Sequence, residues 1–136
     1  MIFLSYSRAD RVEAQLLQFA FETLLADLNE QIWTYERDQA KSERKVAEAL
    51  KQKVRESTVM CFLVSDSTIR GGAAQWMELA YADAFEIPTF VLLHRITFEK
   101  LKSPEANVPP LLLASHCNLA EKWREIADDM RKEIKK

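Results

Sequence analysis

Thr58-Val59-Met60-Cys61-Phe62-Leu63-Val64 contains no charged residue and no alternation of apolar with polar positions. A strand that is apolar on both sides of its pleat is covered on both faces, the condition of a strand inside a parallel sheet packed between helices. The flanking segments fit that reading. Upstream, Ser42 can cap a helix whose inner face carries Val46, Ala49, Leu50 and Val54. Downstream, Asp66 to Gly72 holds both glycines of the chain and reads as a loop. A helix from about Ala73 to Phe85 and a strand from Thr89 to Leu93, opened by Pro88, come next.

The same alternation extends to both ends. Ile2 to Tyr6 is β-prone, and Asp10 stands where a helix cap would, ahead of Val12, Leu16, Leu17, Phe19, Ala20, Leu24 and Leu25 at helical spacing. Ile32-Trp33-Thr34-Tyr35 is a second β-prone run that empties into the polar stretch Glu36 to Lys41. Arg95 to Pro110 is broken by Pro104, Pro109 and Pro110, with one short helix expected around Phe98 to Leu101. Leu111 to Cys117 reads as a fifth strand, and Leu119, Trp123, Ile126, Ala127, Met130 and Ile134 place a helix at the end. Strands alternating with helices predict a flavodoxin-like α/β fold. It is a three-layer sandwich whose five-stranded parallel sheet has the order 2-1-3-4-5, with helices on both faces. The 136 residues show no repeat, low-complexity tract or linker, so 1–136 reads as a single domain.

Composition narrows the function classes. Charged residues are 29% of the chain and nearly cancel, to a formal net charge of −2, which predicts no nucleic-acid partner and no anionic membrane surface. No apolar stretch approaches the roughly 18 residues of a spanning helix. No secretory signal is visible at the start. Cys61 and Cys117 lie in apolar runs, as free buried thiols do, so a reducing cytoplasm is expected. With two glycines the chain has neither a Gly-x-Gly-x-x-Gly nor a Walker-type phosphate loop. A phosphoacceptor receiver needs acidic residues after the first strand and an Asp ending the third, where this chain has Ser5-Tyr6-Ser7 and Ser65. His94, His116 and Cys117 have no metal-ligand spacing, so no metal is expected.

In this fold ligands bind beyond the carboxyl ends of the strands, here the loops after Tyr6, Tyr35, Val64 and Leu93. Three groups there can carry chemistry. Ser5, Tyr6, Ser7, Arg8 and Asp10 can orient a polar ligand at a helix start, or serve capping and turn chemistry. Glu78, on the helix with Trp76 about 200° away, suits a catalytic carboxylate or a dipole-stabilising one beside a core Trp. Trp33, Tyr35, Glu36, Arg37 and Asp38 can hold a nucleotide or sugar, or form a solvated loop with one aromatic in the core.

In chain order, Phe3-Leu4-Ser5-Tyr6-Ser7-Arg8-Ala9-Asp10 resembles box 1 of TIR (Toll/interleukin-1 receptor) domains, and Ile32-Trp33-Thr34-Tyr35 their second strand. Phe62-Leu63-Val64-Ser65 resembles their third strand, which ends in serine. Trp76-Met77-Glu78-Leu79-Ala80-Tyr81-Ala82, followed by Ile87-Pro88-Thr89-Phe90-Val91, is similar to their Trp/Glu-Leu helix and proline-started fourth strand. The likeness runs from Ile2 to about Leu93 and more loosely beyond. Two features depart from it: Trp76 precedes Glu78 by two residues, where enzymatic members commonly have four, and the loop after the second strand has neither Gly nor Pro.

The resemblance implies an NAD⁺ glycohydrolase or cyclase of the prokaryotic type. Such an enzyme releases nicotinamide with ADP-ribose or a cyclic ADP-ribose isomer, in immune signalling and antiviral defence. It implies Glu78 as the catalytic residue, with Phe3, Ser5, Tyr6, Arg37 and Trp76 as substrate-binding residues. NAD⁺ is then substrate, with no cofactor. Association between TIR domains and a separate sensor or effector protein are expected partners. The alternative within the family is a non-enzymatic interaction module. A third reading is a nucleoside or nucleotide glycosyl-transfer enzyme on a related fold.

Overall fold

The computed structural model describes residues 1–34, 43–71 and 73–136. Its strands are β1 (Ile2–Ser5), β2 (Ile32–Thr34), β3 (Val59–Val64), β4 (Thr89–Leu93) and β5 (His116–Leu119). They form one five-stranded sheet in the order β2-β1-β3-β4-β5, every pair parallel. The main helices are α1 (Arg11–Leu24), α2 (Glu43–Glu56), α3 (Asp66–Gly71), α4 (Ala73–Ala84), α5 (Phe98–Lys102), α6 (Pro110–Leu113) and α7 (Trp123–Ile134). This is the flavodoxin-like architecture expected from the sequence. No helix among the described residues is long and apolar enough to cross a membrane.

The unbroken apolarity of β3 follows from its place at the centre. All of its residues are fully buried, and they divide strictly by parity. Val59, Cys61 and Leu63 face the layer of α1 and α7, where they meet Leu17, Phe21, Ile126 and Met130. Met60, Phe62 and Val64 face the opposite layer, with Leu50 and Val54 of α2, Leu79 and Ala82 of α4, and Leu112 of α6. Successive side chains of a strand point to opposite faces, so each core receives half of the strand.

Asp66–Gly71 is helical rather than a loop. Ser65 caps it: its Oγ accepts from the Ser67 N–H at 3.2 Å, while its own N–H donates to Thr68 Oγ1 at 3.2 Å. These bonds satisfy groups that a helix start leaves open. Gly71 closes this helix instead of sitting in a turn.

The fifth strand is also displaced. Leu111 to Leu113 lie in the helical turn of α6, and the strand runs from His116 to Leu119. Pro110, at the first helical position, has the fixed φ that suits a helix start, and the turn buries Leu112. Strand β5 lies at the sheet edge, paired only with β4 among the described residues, so it needs no continuous apolar run. Leu119 therefore ends β5, and the last helix begins at Trp123.

Cys61 is buried in the central strand and Cys117 half-buried in the edge strand, both as free thiols. Burial pushes both thiols up. Arg131 of α7 donates to the Leu24 carbonyl and to Asp27 just beyond α1, holding the Asp27 carboxyl below its ordinary range. An exposed pair of this kind contributes little to stability.

Candidate functional site

Strands β1 and β3 are neighbours at the centre of the sheet, and the chain leaves them toward opposite edges. The crevice beyond their carboxyl ends is where such folds receive ligands. Its α4 side holds Glu78, only 4% exposed, facing Ser5, the last residue of β1. Burial pushes the Glu78 carboxyl up to about 7, while Ser5 pulls it the other way by favouring the charged form. Ser5 Oγ and Glu78 Oε2 have no hydrogen-bond partner among the described residues.

Gln75 precedes Glu78 by three residues and so lies on the same helix face. Its Nε2 donates to the Leu63 carbonyl at 3.1 Å, while its Oε1 is also buried and unpartnered among the described residues. Each buried polar atom left unpaired costs about 1–3 kcal/mol. All three are buried near the carboxyl ends of β1 and β3, where groups left unpaired call for a partner.

The other expected residues are distributed by strand parity. Phe3 is fully buried beneath Ser5 on the same face, its ring 4.8 Å from that of the half-buried Trp33 at an interplanar angle of 49°. It is a floor under the crevice rather than a wall a ligand touches. Tyr6 points to the other side and packs on the α1–α7 core, so it does not join Ser5 and Glu78. Trp76 is half-buried against the α2–α4 core. Arg37 lies outside the described residues, as do Tyr35, the rest of the stretch Glu36 to Lys41 where a loop is expected, Ser42, Gly72 and the Val46 side chain.

On the α1 side of the crevice, Asp10 occupies the cap position of α1 without capping it. Its carboxylate accepts from Ser65 Oγ at 2.5 Å, joining the exits of β1 and β3. Ser65→Ala removes this donor and the cap of α3 together and leaves a buried carboxylate short of a partner. We expect a loss of about 1–3 kcal/mol of stability, read from denaturant melts.

Asp10, Glu13 and His94 each offer a ligand atom, all within 4.8 Å of one another. Among the described residues they are the group best placed to hold a divalent ion. His94 Nε2 and Glu13 Oε1 lie 3.7 Å apart, the spacing of an ion pair when the imidazole is protonated. Local Cys and His spacing could not show this group, because its members come from the start of α1 and from just after β4. A cleft of about 410 Å³ lined by Leu79, Asp83, Glu86, Thr89, Ser115 and His116 lies at the amino ends of β4 and β5, and Glu78 is not among its lining residues.

No protein-family model matches the chain, and no curated protein matches it.

Proposed function

We propose that the chain is a TIR-like NAD⁺ glycohydrolase or cyclase in which Glu78 is the catalytic carboxylate. The observation that carries the reading is the buried Glu78 beside Ser5 at the switch in strand order, with unpartnered polar atoms around it. Cleavage breaks the bond between ribose C1′ and the nicotinamide nitrogen, and the bonding pair leaves with nicotinamide. Positive charge then builds on the ribosyl ring as an oxocarbenium-like state. A carboxylate in a low-dielectric site stabilises that charge more than one in water does, and accepts a hydrogen bond from a ribose hydroxyl. Ser5 Oγ and Gln75 Oε1 supply further partners for the ribose or the carboxamide. Water attacking C1′ gives ADP-ribose and a proton, whereas attack by an atom of the same molecule gives a cyclic isomer. Nicotinamide leaves readily, so one carboxylate suffices without a separate general acid. In this reading the setting is prokaryotic immune signalling, with activity governed by assembly or by a separate sensor protein.

Glu78 acts in its charged form, so activity follows its ionisation. The sign is fixed: below about 7 the group is increasingly protonated. We expect kcat/KM for NAD⁺ to fall about tenfold per pH unit on the acid side of that value and to level off above it. The measurement is nicotinamide release by the purified full chain at high protein concentration across a pH series, with co-products separated by chromatography. Absence of nicotinamide at every pH, or a rate flat from about pH 5 to about pH 8, overturns the assignment.

A further inference from the structure

Asp10, Glu13 and His94 come together at the start of α1, and the proposed chemistry at Glu78 uses none of them. Asp10 ends a 3-10 turn that runs straight into α1, so Glu13, three residues on, projects from the same side. His94 directly follows β4. The end of β3 pins two of the three. Ser65 Oγ donates to the Asp10 carboxylate at 2.5 Å, and the His94 N–H donates to the Val64 carbonyl at 2.8 Å. Asp10 is 7% exposed, whereas Glu13 and His94 are partly open to solvent, so the group has a fixed base and an entry for a small ion. Partners behind the donor atoms orient them before a metal arrives.

The three donor atoms lie within 4.8 Å of one another. His94 Nε2 and Glu13 Oε1 are 3.7 Å apart, too far for a direct hydrogen bond. Two ligands bound at about 2.1 Å in a tetrahedral site stand about 3.4 Å apart, so a shift of about 0.3 Å seats both on one ion. Charge points the same way. Two carboxylates this close in a partly buried setting repel, and a protonated imidazole returns only one positive charge. A divalent ion balances both carboxylates and leaves the imidazole neutral, the form in which it coordinates. One imidazole nitrogen with two carboxylate oxygens suits a first-row ion such as Zn²⁺ better than Mg²⁺, which favours oxygen donors alone. Three protein ligands leave a fourth position to water. The other histidine, His116, stands 3.3 Å from Asp129 with no third donor so placed among the described residues.

We propose that Asp10, Glu13 and His94 bind one divalent ion of the zinc class, with Ser65 as the positioning residue, joining the start of α1 to the end of β4. The inference is independent of the catalytic reading, since its test involves no NAD⁺. The test is calorimetric titration of the chelator-stripped full chain with zinc chloride and, separately, magnesium chloride, with circular dichroism to verify folding. Wild type is expected to take up one Zn²⁺ per chain, about a hundredfold or more tighter than Mg²⁺. Glu13→Gln and His94→Gln, at partly exposed positions, are each expected to keep the fold and weaken Zn²⁺ binding about tenfold or more. Ser65→Ala is expected to weaken it about tenfold by releasing the Asp10 carboxylate. His116→Gln and Cys117→Ser should leave it within about threefold of wild type. A wild type that takes up no Zn²⁺ at millimolar concentration overturns the inference. So does uptake indifferent to Glu13→Gln and His94→Gln, or uptake lost with His116→Gln or Cys117→Ser, which would mark an adventitious ion only. Unchanged affinity in folded Ser65→Ala removes the positioning role.

Discussion

Glu78→Gln is expected to lose NAD⁺ turnover by on the order of a thousandfold or more while the protein stays folded. Glutamine keeps the volume and most of the shape of the side chain, so packing against the α2–α4 core is preserved. What disappears is the negative charge opposite the developing positive charge on the ribosyl ring. In a buried site that charge is hard to replace, because water cannot enter to screen or substitute it. Glu78→Ala is expected to lose as much and to leave a cavity beside Ser5. Nicotinamide release by wild type and both variants, at matched protein concentration and with melts alongside, checks this result. Turnover within a few fold of wild type in folded Glu78→Gln removes Glu78 from the mechanism. An inactive wild type instead shifts the reading toward an interaction module.

The same substitution is expected to stabilise the fold at neutral and higher pH. Glu78 has its carboxyl raised to about 7 by burial, against 4.5 for the ordinary side chain. Between those values the native state holds a proton that the unfolded chain has released, so native stability falls as pH rises through the window. The penalty is absent below about 4.5 and complete above about 7. Integrated, it amounts to about 3 kcal/mol, at 1.36 kcal/mol for each pH unit. Glutamine never ionises and escapes it. The melting temperature of Glu78→Gln minus that of wild type should therefore widen by about 10 °C from acid to mildly alkaline conditions. A difference that is constant over that range means Glu78 titrates as an ordinary surface carboxylate. Together the two results describe a group that the proposed chemistry needs and the fold would be steadier without.

How much of this was legible in the sequence depended on whether the signal was local. Thr58 to Val64 revealed both the parallel sheet and its two covered faces, since a strand buried on each side leaves no polar alternation. The run Leu111 to Cys117 looked similar but is divided, because apolarity alone does not separate a strand from a buried helical turn. Pro110 was the clue, as a residue preset for a helix start. The two glycines of Asp66 to Gly72 suggest a loop, but Ser65, Ser67 and Thr68 supply the cap that starts a helix. At the site, the side taken by Ser5 and Tyr6 follows from strand alternation, which puts neighbours on opposite faces. The box-1 likeness treated them as one unit. Gln75 could have been found from its three-residue spacing to Glu78. The bond between Asp10 and Ser65 could not, because it joins residues that only the completed sheet brings together.

Cys61 and Cys117 lie in the same sheet but keep different time. A thiol reagent reaches Cys117 when the edge strand breathes, an event confined to one side of the domain. It reaches Cys61 only when the centre of the sheet comes apart, since neighbouring strands on both sides and the α1–α7 layer cover the sulfur. The molecule therefore contains two native reporters, one of local opening and one of global opening, whose labelling rates separate the loosening of a margin from the loss of the whole fold.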